Sequence, residues 1–181
     1  MSRKEAPIKT GLSFEQYLEF EQQNSSKHEF VDGQLFMMAG GTDKHNRLAF
    51  LLAMELENTA KDCIVYLLDM KVRTPSGQGY YPDVFIACKP EDETYVKRKP
   101  CLIIEVLSNS TEAIDRGEKF HHYQSFESLE AYVLVSQEEK RIEIYRRDQA
   151  KWLYESKEAG ERMSFPCSNL ELDLDELYSR V

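Results

Sequence analysis

Two strand-length runs of this chain, Tyr80-Tyr81-Pro82-Asp83-Val84-Phe85-Ile86-Ala87 and Cys101-Leu102-Ile103-Ile104-Glu105-Val106-Leu107, are apolar at both alternating sets of positions, with one carboxylate in each. Runs of this kind read as strands buried on both faces, which calls for a sheet covered on its two sides. An ionised acid in that setting is costly unless a cation, a metal or hydrogen bonds compensate it. A hairpin through the polar stretch 89–100 turns near Thr94 and sets Asp83 directly across from Glu105, with side chains about 5 Å apart. Two acids that close within a sheet invite a divalent metal.

The rest of the chain supplies the cover. Ser13-Phe14-Glu15-Gln16 is a capping box that opens a helix to about Gln23. The run from His28 to Met38 reads as two short strands around the Asp32-Gly33 turn. Gly40-Gly41 break the chain, and Thr42 can cap a long helix to about Lys61 with Leu48, Leu51, Leu52 and Leu56 on its inner face. Strands are expected over 64–74, 80–88 and 102–107. Ser108-Asn109-Ser110-Thr111 offers caps for a helix over 112–124. Strands over 131–135, 141–147 and 151–156 and a closing helix from about Leu174 complete the order. This predicts an α/β (α+β) architecture, a central mixed sheet flanked by helices, in one domain spanning 1–181.

Charge narrows the function classes. A net charge of -9 and an isoelectric point near 5.0 weigh against a general nucleic-acid binder. Lys97-Arg98-Lys99 and Arg146-Arg147 are the obvious sources of a local basic surface, although each alone reads as solvated charge. The longest apolar run has only a strand's length, and the residues from Met1 to Pro7 lack the apolar core of a signal peptide. A cytoplasmic protein is expected. The cysteines Cys63, Cys88, Cys101 and Cys167 lie far apart without a C-x-x-C pair, so reduced core thiols are expected rather than a structural zinc site. Cys88 and Cys101 flank the hairpin connection and could approach each other.

After the second acid, Asp115, Lys119 and Tyr123 recur every four residues and share a helix face. Such an acid–base pair commonly just stabilises a surface helix. Here the short connection from Glu105 lets a lysine on the inner face reach back over the carboxylates. Asp115 is read as positioning Lys119, and Tyr123 as core. Lys71 is the second candidate for the basic site residue. His45 is read as structural rather than catalytic, and His28 as a strand residue near the surface. His121 and His122 point about 100° apart and cannot chelate one ion together. No phosphate-loop glycine pattern and no serine-hydrolase elbow occur.

These residues resemble a known family. Pro82-Asp83-Val84, the strand ending Glu105-Val106-Leu107-Ser108, the run Ser110-Thr111…Asp115…Lys119…Tyr123, the strand Ala131-Tyr132-Val133-Leu134-Val135, the hairpin His28-Glu29-Phe30-Val31-Asp32-Gly33-Gln34-Leu35 and the helix Thr42…His45…Leu48…Leu52 look like the Uma family, catalogued as candidate restriction endonucleases of the PD-(D/E)xK nuclease superfamily. The resemblance covers nearly the whole chain. It implies a restriction-endonuclease-like fold and a divalent-metal-dependent DNA endonuclease that hydrolyses phosphodiester bonds with Mg2+ or Mn2+. It also implies a homodimer.

Carried over by position, the resemblance makes Asp83 and Glu105 metal ligands, joined by the backbone carbonyl of Val106, and Glu29 an acid pointing into the same site. In the superfamily pattern the lysine stands two residues after the second acid. Leu107 occupies that position here, and Lys119 matches the helix lysine that substitutes in this family. Asn109 and Ser136-Gln137 also depart from the family's usual turn residues. Leu107 and the acidic balance keep a second reading open: a catalytically inactive binding or assembly module on the nuclease fold.

Overall fold

The computed structural model describes residues 6–181, so the reading of residues 1–5 lies outside the described residues. The chain begins with α1 (Phe14–Gln23), the hairpin β1 (His28–Val31) and β2 (Gln34–Met37), and the long α2 (Asp43–Thr59). Six short strands follow: β3 (Ile64–Leu67), β4 (Lys71–Arg73), β5 (Gly79–Tyr80), β6 (Val84–Ala87), β7 (Val96–Lys97) and β8 (Leu102–Val106). Next come α3 (Glu112–Ile114), a π-helical turn (Asp115–Lys119) and α4 (Phe120–Tyr123), continuous in the chain. The remainder is β9 (Ala131–Val135), β10 (Ile142–Asp148), β11 (Lys151–Lys157), β12 (Arg162–Ser164), β13 (Glu171–Asp173) and α5 (Leu174–Ser179).

The main sheet has the order β11-β10-β9-β8-β6-β3 and is antiparallel except for β8 beside β9. Strand parity divides its side chains between two cores. Val84, Ile86, Leu102, Ile104 and Val106 pack with Leu48, Leu51, Leu52 and Leu56 of α2 and with Leu174 and Leu177 of α5. Phe85 and Ile103 point the other way, onto Tyr80, Tyr123, Phe126 and Tyr132. The register pairs Val84 with Ile104. One step further it sets Asp83 opposite Glu105, as the hairpin midpoint requires. By the same parity Glu105 belongs to the face of Ile103 and Tyr123.

A second sheet, β2-β1-β5-β4-β7, stands over that face. Here the structure differs from the sequence expectation. The apolar run 64–74 is two strands in different sheets: β3 ends at Leu67, Leu68 takes a left-handed φ of 38°, and β4 joins the second sheet. The run 80–88 divides in the same way, with Tyr80 in β5 and Val84 in β6. Pro82, which has no N–H to give to a ladder, lies at that division. The two crossings are tied together, because the Leu68 amide donates to the Asp83 carbonyl at 3.1 Å. The hairpin connection is also not free loop, since β7 within it pairs in parallel with β4.

Other expectations hold or need correction locally. Ser13 caps α1 through a complete capping box, and Thr42 caps α2 by accepting from the His45 amide at 3.1 Å. Thr111 does not cap the next helix through its side chain; it is itself helical, and Ser108 accepts its amide instead. The expected α-helix over 112–124 contains the π turn. His28 is buried, not superficial, with Nδ1 2.7 Å from Glu21. The basic clusters are occupied. Lys97 is buried and donates to the carbonyls of Glu91 and Glu93, Arg98 pairs with Glu93, and Arg147 donates to the carbonyls of Leu129, Gln124 and Phe126. Cys63 and Cys88 are bonded as a disulfide, against the expectation of reduced thiols throughout, while Cys101 approaches Cys88 without bridging it. Among the described residues, no helix is long and apolar enough to cross a membrane.

Candidate active site

Between the two sheets lies a cavity of about 520 Å³, lined by Glu29 from β1, His45 from α2, Asp83 and Glu105 from the main sheet, and Asp115 and Lys119 from the π turn. Each residue arrives by a local rule already described. The β6–β8 register aligns Asp83 and Glu105. Thr42 starts α2 so that His45 lies in its first turn, and β1 carries Glu29 in from the second sheet.

Lys119 is the hub. Its Nζ is 2.9 Å from Asp115 Oδ1, 3.1 Å from Glu105 Oε1 and 3.2 Å from Glu29 Oε1. All four side chains are buried. Burial disfavours the ammonium, but the carboxylates of Asp115, Glu105 and Glu29 outweigh it and hold the lysine charged, well above its usual range. Burial raises Glu105 well above the ordinary carboxylate range, with Lys119 opposing and Asp115, Asp83 and Glu29 adding to the rise. Asp115 is raised by burial as well, against the pull of Lys119. Three acids therefore share one cation, a charge surplus that a further cation would relieve.

The two facing acids are each held by one oxygen. Asp83 Oδ2 accepts from the Val106 amide at 2.8 Å and lies 3.1 Å from His45 Nε2. Glu105 Oε1 accepts from Lys119 and, at 2.9 Å, from the Tyr123 hydroxyl. These contacts fix the carboxylates and, among the described residues, leave Asp83 Oδ1 and Glu105 Oε2 without a hydrogen bond. The His45 contact assigns its Nε2 as donor. Burial lowers the affinity of the ring for a proton, and the hydrogen bond and charge of Asp83 more than restore it. Its Nδ1 is buried with no hydrogen-bond partner among the described residues.

The expected residues Asp83, Glu105, Lys119 and Glu29 are brought together, and Val106 lines the same cavity with its amide committed to Asp83. Asp115 reaches Lys119 as the four-residue spacing requires. Lys71 is absent from the cavity lining; its Nζ lies 4.8 Å from the centre of the Tyr81 ring. Two partners of the acids come from residues read as structural, His45 and Tyr123. No residue in the sequence signals the His45 contact; in the structure Gly41 makes room for its ring, since a Cβ there would stand 2.9 Å from His45 Nδ1. Tyr123 is both core and ligand to Glu105, a double role its apolar neighbours conceal.

The donor set suits a hard divalent cation. Carboxylate oxygens lining one cavity are the ligands Mg2+ takes alongside water and phosphate oxygens. Two sheets meet over facing acids, with Lys119 against the second of them, the arrangement that the resemblance to the restriction-endonuclease-like class implies.

Comparison with known proteins agrees with that class. A crystal structure titled as a putative nuclease belonging to DUF820, from Anabaena variabilis ATCC 29413, superposes with a TM-score of 0.75 at 15% identity, covering 93% of this chain and 98% of that one. The family model Uma2, described as "Putative restriction endonuclease", matches residues 14–175. The chain belongs to the Uma2 family. Two relatives come from Synechocystis sp. (strain PCC 6803). The "Uncharacterized protein slr1290" is 37% identical over 175 residues, covering 92% of this chain and 91% of its own. The "Uncharacterized protein sll1609" is 32% identical over 143 residues, covering 75% and 81%.

Proposed function

We propose that this protein is a divalent-metal-dependent DNA endonuclease, one domain per chain, acting in the cytoplasm as a homodimer with Mg2+ or Mn2+. Asp83, Glu105 and the Val106 carbonyl hold the ion, and Lys119 and Glu29 complete the catalytic group. The observation that carries this reading is the pair of facing carboxylates, each anchored through one oxygen and, among the described residues, not hydrogen-bonded at the other, with Lys119 Nζ 3.1 Å from Glu105. The homodimer and the cytoplasmic setting rest on the family resemblance and the sequence alone.

When bound, the metal would supply charge stabilisation for phosphodiester hydrolysis and lower the pKa of the attacking water. Asp83 and Glu105 bind and orient that ion. Lys119, kept protonated by its three acids, presents an ammonium where negative charge grows on the phosphate. His45 holds Asp83 at Nε2 and so keeps its other oxygen turned toward the cavity. Tyr123 does the same for Glu105. Glu29 shares Lys119 and lines the cavity from β1, where it would help orient a water.

The test is plasmid nicking with Mg2+ or Mn2+ across supercoiled, linear and single-stranded substrates. Wild type should cut, chelator should abolish cutting, and Asp83→Ala combined with Glu105→Ala should reduce it at least ~1,000-fold. Equal activity in wild type and double variant would remove the assignment. Tight metal binding by calorimetry with no cutting of any substrate would instead establish the inactive binding module.

A further inference from the structure

A second cluster of ligating side chains lies at the other end of the same strands. Cys63 precedes β3, Cys88 follows β6 and Cys101 precedes β8. These strands are neighbours in the main sheet, and the pairing of Ile64 with Ala87 continues to Cys63 and Cys88. The sulfurs of Cys63, Cys88 and Cys101 all lie within 4.8 Å of one another, and Cys88 Sγ is 3.0 Å from Cys101 Sγ. The fourth cysteine joins them from the far end of the sequence. The carbonyl oxygen of Cys167 lies 3.6 Å from Cys63 Sγ. Cys167 does so with a left-handed φ of 63°, a conformation a non-glycine residue holds only where its surroundings impose it. Three of the chain's four cysteines therefore bring their sulfurs to one point, with the backbone of the fourth beside them.

We propose that Cys63, Cys88 and Cys101 form a three-thiolate site for Zn2+, its fourth position open to water, separate from the acid pair and independent of the nuclease reading. A tetrahedral ion with zinc–sulfur distances of about 2.3 Å needs sulfurs a little under 4 Å apart, the spacing this cluster approaches. Soft thiolates select zinc over the hard ions suited to the carboxylates.

The Cys63–Cys88 disulfide is the oxidised, metal-free form of the cluster. A dithiol reductant passes two electrons and two protons to that bond and is itself oxidised to a disulfide. The two thiols so formed and that of Cys101 then release three protons as one Zn2+ binds three thiolates. Five residues separate Asp83 from Cys88 along one strand, roughly 17 Å, so neither site can share its ion with the other.

The experiment is zinc analysis of the full chain, purified with a dithiol reductant and desalted, together with reconstitution by Co2+ alone. About one zinc per chain is expected, with a near-ultraviolet cobalt–thiolate charge-transfer band. Cys88→Ser and Cys101→Ser should each weaken zinc binding at least ~10-fold, whereas Asp83→Ala should leave the band unchanged. Because Cys101 is buried, zinc release from wild type by a thiol-blocking mercurial is followed in parallel, so a misfolded variant does not decide the matter. Reduced protein with four titratable thiols, no zinc and no cobalt–thiolate band would overturn the proposal. A full-strength band in Cys101→Ser, or iron with sulfide in place of zinc, would overturn it as well.

Discussion

At the scale of single residues, Lys119 carries the most consequence. Its three carboxylate partners are buried, so removing the ammonium deprives Asp115, Glu105 and Glu29 of the cation they share. Lys119→Met should therefore destabilise the fold by about 3–5 kcal/mol, measured from urea midpoints, and should abolish cutting. A loss below about 1 kcal/mol would show that the acids do not depend on it. Tyr123→Phe is the milder companion: it deletes one hydrogen bond to Glu105 and should cost about 1 kcal/mol. Much of this site was legible in the sequence. The two acids announced themselves by standing in apolar runs, and the four-residue spacing put Lys119 on the right face. His45 was not legible as a partner of Asp83, because nothing in α2 states which strand end its first turn will meet.

At the scale of elements, the π turn is held from outside as well as from within. Arg116 on that turn grips buried Glu143 of β10 with both guanidinium nitrogens, at 2.5 and 3.0 Å, and Arg141 donates to the same carboxylate. Glu143 is opposed by burial but drawn down by the hydrogen bonds and charges of Arg116 and Arg141, and lies below the ordinary glutamate range. A carboxyl depressed in the folded state contributes stability above its unfolded pKa, about 4.3, and loses it as pH falls through the lower folded value. Glu143→Gln should cost about 2 kcal/mol near neutral pH, and its gap from wild type should shrink on acidification. Thermal melts of both proteins from pH 7 to pH 3 check this, and a gap that widens toward acid would refute it. The elements themselves were mostly legible, since α1, α2, β8, β9 and α5 fall where caps and parity place them. The divided runs 64–74 and 80–88 were not, because alternation records which side a residue faces and not which sheet it serves.

At the scale of the molecule, charge shapes how DNA can be met. The chain carries a net charge of -9, and its two basic runs are engaged in internal contacts. Binding must then rely on few phosphate neutralisations. With Ca2+ to permit binding without cutting, the slope of log affinity against log salt should correspond to about three phosphates or fewer. Fluorescence anisotropy over a salt series would measure it, and a slope of eight or more would point to a basic face elsewhere. The overall class was legible because the acid pair and the order of elements belong together. The cysteine convergence was not, since its members are spread from 63 to 101.

The double passage of the chain between sheets, at 68–70 and again at 81–83, has a mechanical corollary. Two short straps stitched by the Leu68–Asp83 hydrogen bond set how wide the jaws of this molecule stand. A single inserted residue in one strap would alter the gape while sparing both jaws. Relatives could thus accommodate substrates of different girth by varying two short spans alone.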